Sequence, residues 1–79
     1  MGLLRRTKAI AELKHMAAGR RSATDVTEAL QKLGYSHETA SQAAIQTHMA
    51  AMTYGYTNGW KHGKRILGEE DGVSGAGPL

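Results

Sequence analysis

Residues 25–40 leave this chain little freedom in local structure. Val26, Ala29, Leu30 and Leu33 fall at i, i+3, i+4 and i+7, so one helical face carries all four. Gly34 follows at the position where a left-handed residue ends a helix, because a side chain there would clash. Tyr35 is placed to fold back over Leu30, and the Ser36 hydroxyl can accept from the free N–H groups of a new helix. The reading is helix, tight corner, helix.

The rest of the chain extends that pattern. Residues 3–18 are rich in good helix formers and free of proline, with Leu3, Ile10, Leu13 and Met16 or Ala17 as the apolar stripe. Lys8 is spaced to pair with Glu12, and Gly19 ends the helix. Ser22 caps a second helix over 23–33, with Asp25 in its first turn. A third helix opens at Ser36. On it Ala40, Ala43, Ala44, Thr47 and Ala51 form a shallow face that lets another helix approach closely. Ile45, Met49, Met52 and Tyr56 form a bulkier stripe beside it. Two adjacent apolar faces exceed what a three-helix hairpin needs, so the helix is either central or meets a partner.

Residues 54–65 read two ways. Asn58-Gly59 between aromatic and β-branched residues is a hairpin signal, whereas Gly55, Gly59 and Gly63 recur every four residues and would line one helical face. An isolated two-stranded hairpin is barely stable in water, so a helix continuing to 67, kinked near Asn58-Gly59, is expected. Residues 68–79 hold little to bury and are expected to be a flexible tail. The expected fold is therefore all-α, a three-helix bundle over 3–18, 23–33 and 36–67, in a single domain spanning 1–67.

Composition limits the function. A chain of 79 residues without cysteine has no disulfide or thiolate metal site to support a small core. No run approaches the length of a membrane span, and Leu3-Leu4 runs directly into Arg5-Arg6, so no signal-peptide core is expected. Arg6 stands where a myristoylation motif wants Ser or Thr. A soluble cytoplasmic protein is expected. Charge is uneven: residues 1–21 hold six Lys or Arg against one Glu, and Lys61, Lys64 and Arg65 form a second basic block. Such ends attract phosphate or an acidic protein, or simply confer solubility. A basic amphipathic N-terminal helix is open to three roles, as core helix with a solvated face, nucleic-acid contact or membrane-surface helix.

Catalytic signals are missing. His15, His37, His48 and His62 have no i, i+3 or i+4 pairing, so no metal site is expected, and His48 reads as a packed or partner-contacting residue. The acidic residues are isolated, no nucleophile elbow or phosphate loop is present, and no enzyme activity and no cofactor are expected. Tyr54, Tyr56 and Trp60 beside Lys61, Lys64 and Arg65 suit stacking on bases or anchoring a protein interface, with core packing as the plainer role for Trp60.

Asp25, Ala29, Leu30, Leu33, Gly34, Tyr35, Ala40 and Ala43 together resemble the C-terminal domain of the Holliday-junction protein RuvA and, more broadly, the ubiquitin-associated (UBA-like) helical module. The resemblance covers residues 25–44. It implies a protein-docking hairpin: the RuvA domain contacts a motor protein, and UBA-like modules bind partner proteins. Gly55-Tyr56 and Gly59 with Gly63-Lys64-Arg65 are similar to the glycine-tyrosine stretch of ribosome modulation factor, over too few residues to imply a function.

The first expectation is thus a regulatory interaction module that binds a partner protein through Tyr54, Tyr56, Trp60 and Lys64. It would self-associate through Ala44, Met49, Ala51 and Met52. The second is a nucleic-acid- or ribosome-associated protein using Arg5, Arg6, Lys8, Arg20, Arg21, Lys61, Lys64 and Arg65. A phage- or plasmid-type inhibitor of a host complex is a third.

Overall fold

The computed structural model describes the backbone of residues 2–76 and the side chains of residues 4–70. Within them lie four helices and no strand: α1 (Gly2–Ala17), α2 (Ala23–Lys32), α3 (His37–Tyr54) and α4 (Tyr56–Ala76). The all-α expectation holds, with one helix more than anticipated.

The corner between α2 and α3 follows from the local chemistry of residues 30–39. The Gly34 N–H donates to the Gln31 carbonyl at 2.9 Å and the Tyr35 N–H to the Leu30 carbonyl at 3.2 Å, so two carbonyls at the end of α2 find donors. Gly34 has φ +105°, a conformation that a Cβ would strain. Ser36 then caps α3, its hydroxyl accepting from the Thr39 N–H at 3.2 Å. Ser22 caps α2 in the same way through the Asp25 N–H at 3.1 Å. The end of α1 repeats the glycine stop, with Gly19 donating to Met16 and Arg20 to His15.

The break in the anticipated third helix falls at Gly55, not at Asn58-Gly59. Gly55 has φ +99°; its N–H closes α3 on the Ala51 carbonyl and its own carbonyl opens α4 by accepting from Gly59, both at 2.9 Å. One residue thus joins two helices that run back along each other. Asn58 supports the junction by donating from Nδ2 to the Tyr54 carbonyl at 3.2 Å. The hairpin alternative is overturned, since residues 56–65 are helical.

The α3–α4 contact explains the glycines. A Cβ added to Gly59 would lie 2.6 Å from the Ala51 Cβ, and one added to Gly63 would lie 3.0 Å from the Ala43 carbonyl oxygen and overlap the Thr47 hydroxyl. The alanine face of α3 and the glycine face of α4 therefore meet each other within one chain. Helix α1 packs on this pair through Leu13, whose Cδ1 lies 3.1 Å from the same Gly63 position. The core consists of Ala9, Leu13, Met16, Val26, Leu30, Tyr35, Ala40, Ala43, Ala44 and Leu67, with Trp60 and Ile66 packed against it.

Three further expectations need correction. Glu12 pairs with Arg21 at 3.0 Å, where Lys8 was the anticipated partner. Ala9, outside the anticipated stripe of α1, is fully buried. Helix α4 continues past the anticipated bound of 67 to Ala76; residues 77–79 of the anticipated tail lie outside the described residues.

Candidate interaction surface

Helix α3 turns Ala40, Ala43, Ala44 and Thr47 inward, and the 3.6-residue period then places Ile45, Met49 and Met52 on its outer side. These large side chains stay in water: Met52 is 75% exposed, Tyr54 70% and Met49 55%, with Ile45 and Tyr56 also exposed. Beside the stripe, Met49, Ala50, Thr53 and Tyr54 of α3 form one wall of an open groove of about 640 Å³. Asn58, Lys61, His62 and Arg65 of α4 form the other. The α3 wall sets Met49, Ala50 and Tyr54 among polar Gln46 and Thr53, and the α4 wall carries the cations Lys61 and Arg65.

The anticipated partner-binding residues separate in space. Tyr54 lines the groove, and Tyr56 lies in a different depression with Lys14 and Arg20. Trp60 is half-buried against the core, with the Lys14 ammonium 4.5 Å and the Lys64 ammonium 6.0 Å from its ring centre. Of the anticipated self-association residues, Met49 and Met52 are exposed. Ala44 is buried in the chain's own core and Ala51 meets Gly59, so close packing within the chain already uses both.

The anticipated nucleic-acid residues also divide. Arg6, Lys61, Lys64 and Arg65 line one depression together with Gly68, and Arg20 lies in the neighbouring one. Arg5 is engaged elsewhere: its guanidinium carbon stacks 3.8 Å from the Tyr35 ring centre and Nη2 lies 3.7 Å from Glu70. Arg21 is paired with Glu12, and exposed Lys8 lines neither depression. Lys14 had no local sequence signal, because the ring it covers lies on another helix.

Glu70 joins the far end of α4 to the α2–α3 corner. Its carboxylate accepts from the Ser36 hydroxyl at 2.9 Å and from the Ser36 N–H at 3.3 Å. Hydrogen bonding from Thr39, then from Ser36, with the Arg5 cation nearby, outweighs desolvation and holds the Glu70 carboxyl below its ordinary value of 4.5. A depressed carboxyl contributes stability that is complete above the unfolded value and is lost as pH falls through the folded one. Glu70→Gln is therefore expected to lower the melting temperature at neutral pH and to narrow its gap to wild type below pH 4.5. Thermal melts across that range check this; a gap that widens in acid would contradict it.

Among the described residues no three His, Asp or Glu side chains converge as a metal site. His37 lies 3.3 Å from Gln31 Oε1, and His48 is exposed rather than packed. No helix among them is long and apolar enough to cross a membrane. Comparison with protein-family models, curated proteins and solved structures finds no match.

Proposed function

We propose that this protein is a small non-catalytic interaction module that regulates or adapts a partner protein docked along α3. The observation that carries the reading is the exposed stripe of Ile45, Met49, Met52 and Tyr54 beside a groove whose opposite wall is cationic. Large apolar side chains left in water on a chain this small mark an interface, and a mixed wall suits an amphipathic helix with an acidic flank. Tyr54 and Met49 would supply the apolar anchors, and Lys61 and Arg65 would orient the acidic flank. The resemblance of residues 25–44 to the RuvA C-terminal and UBA-like modules, which dock proteins, suits the same class of role.

Two measurements test it. A partner captured from the host by the wild-type chain should be lost with Met49→Ser/Tyr54→Ser and kept with Lys32→Ser, a surface change on α2. Unchanged capture by the first variant would refute the groove as the docking site. Sedimentation of the isolated chain decides whether a second copy covers the stripe: a dimer dissolved by Met52→Ser assigns it to self-association, and a monomer leaves it for the partner.

A further inference from the structure

The α1–α4 face carries a second surface, which shares Lys61 and Arg65 with the docking groove and adds Arg6, Lys14, Arg20 and Lys64 outside it. Lys14 and Arg20 line one depression, and Arg6, Lys61, Lys64 and Arg65 line the next. Six of the chain's ten Lys and Arg residues thus gather on one side, and no carboxylate among the described residues lines either depression. Trp60 links the two, since Lys14 and Lys64 lie over its ring and the half-buried indole fixes where both ammonium groups stand. Of the described acidic side chains on α1 and α4, Glu12 pairs with Arg21, Glu70 is held by Ser36 and Arg5, and exposed Glu69 lines neither depression. Asp25 and Glu28 belong to α2, which does not pack against α4, and Glu38 opens α3. Among the described residues the two depressions themselves hold cations and no carboxylate, and the field over them attracts polyanions.

We propose that the α1–α4 face binds the phosphate backbone of duplex DNA, without regard to base sequence. Arg6 and Lys14 are two turns apart on α1, about 12 Å at 1.5 Å per residue. With Arg20 beyond them the row reaches on the order of 20 Å, the axial length of about six phosphates on one strand at 3.4 Å each. Single strands are disfavoured, because stacking needs successive open aromatic faces, and with Lys14 over the Trp60 ring this face offers Tyr56 alone. Duplex RNA is disfavoured as well. RNA readers contact the ribose 2′-hydroxyl as donor and acceptor, and apart from its Lys and Arg side chains this face has only His15 and Tyr56 to meet it. Cations that touch phosphates alone give affinity without sequence choice.

The test is fluorescence anisotropy of a labelled 20-base-pair DNA duplex with the purified full chain. For four phosphate contacts, affinity is expected to fall about 150-fold between 50 and 200 mM salt. Arg6→Gln/Lys64→Gln should weaken binding at the lower salt by at least about tenfold and flatten the salt slope by about two contacts. Both residues lie outside the groove assigned to the protein partner, so Met49→Ser/Tyr54→Ser should leave DNA binding unchanged. Circular dichroism confirms that each variant is folded. Lys8→Gln/Lys32→Gln removes the same charge from side chains that line neither depression and should change affinity by less than about threefold, as expected for charges that make no phosphate contact. The proposal is overturned by no binding at 50 mM salt or by equal loss in both double variants. Single-stranded DNA, duplex RNA or polyglutamate binding as tightly as duplex DNA would overturn it equally.

Discussion

Gly63→Ala is expected to lower the melting temperature by about 10 °C, while Gly68→Ala on the same helix raises it by a few degrees. In a helix interior alanine is favoured over glycine by about 1 kcal/mol, so both substitutions start with the same gain. Space decides the sign. At Gly68 the new methyl would lie 3.7 Å from Arg6 Nη2, an ordinary contact with a movable side-chain end. At Gly63 it would overlap the Thr47 hydroxyl and lie 3.0 Å from the Ala43 carbonyl oxygen, so α3 and α4 must separate. Overpacking of this kind costs about 3 kcal/mol, leaving a net loss of about 2. In a domain this small each kilocalorie moves the midpoint by about 4–8 °C. Thermal melts followed by circular dichroism check both signs, and a Gly63→Ala protein melting at or above wild type would refute the close contact. Thr47→Ala combined with Gly63→Ala should recover about 1 kcal/mol relative to the sum of the single changes, because Thr47 is the nearest obstacle.

That contact also marks where sequence reasoning was sufficient and where it stopped. The corner at 30–36 was legible because every signal it uses lies within a few residues: an apolar stripe, a glycine, a folded-back tyrosine and a capping serine. The small-residue faces were legible separately, alanine on one segment and glycine on the next. That they face each other depends on where the chain reverses, and three glycines at four-residue spacing compete for that role. Gly55 turns the chain while Gly59 and Gly63 accept the opposing helix, a division that appears only when α3 and α4 are packed. Without it, the alanine face looked free for a partner. Asn58 carried a usable local signal, since an amide four residues past a helix end can reach its last carbonyl.

The candidate surfaces divide along the same line. The exposed methionines follow from helical period alone once the alanine face is known to be buried. The grouping of cations does not, because Arg6 and Lys14 are far in sequence from Lys64 and meet it only through the antiparallel run of α1 along α4. Arg5 shows the converse. In sequence it is indistinguishable from Arg6, yet one position along α1 directs it to Tyr35 and Glu70 and withdraws it from the basic face.

Leu13→Ala is expected to abolish cooperative folding. The core is built largely from alanine, and its fully buried bulky side chains are few, with Leu13, Leu30 and Leu67 the largest. Small residues permit close helix approach but bury little apolar area each, so the burden of desolvation falls on those leucines. A Leu→Ala change in a packed core costs about 2–5 kcal/mol, and a domain of this size holds about 3–5 in total. Leu13 also lies at the point where α1 meets the α3–α4 pair, beside Gly63, so the cavity would open at the junction of three helices. Ile45→Ala, on the exposed stripe, should change stability by less than about 0.5 kcal/mol. Leu13→Met keeps the volume and should remain folded, with a loss below about 1.5 kcal/mol. Urea titrations of the three variants, read by helical circular dichroism, separate these outcomes. A sigmoidal transition for Leu13→Ala with a midpoint near that of Ile45→Ala would show that α1 contributes little to the core.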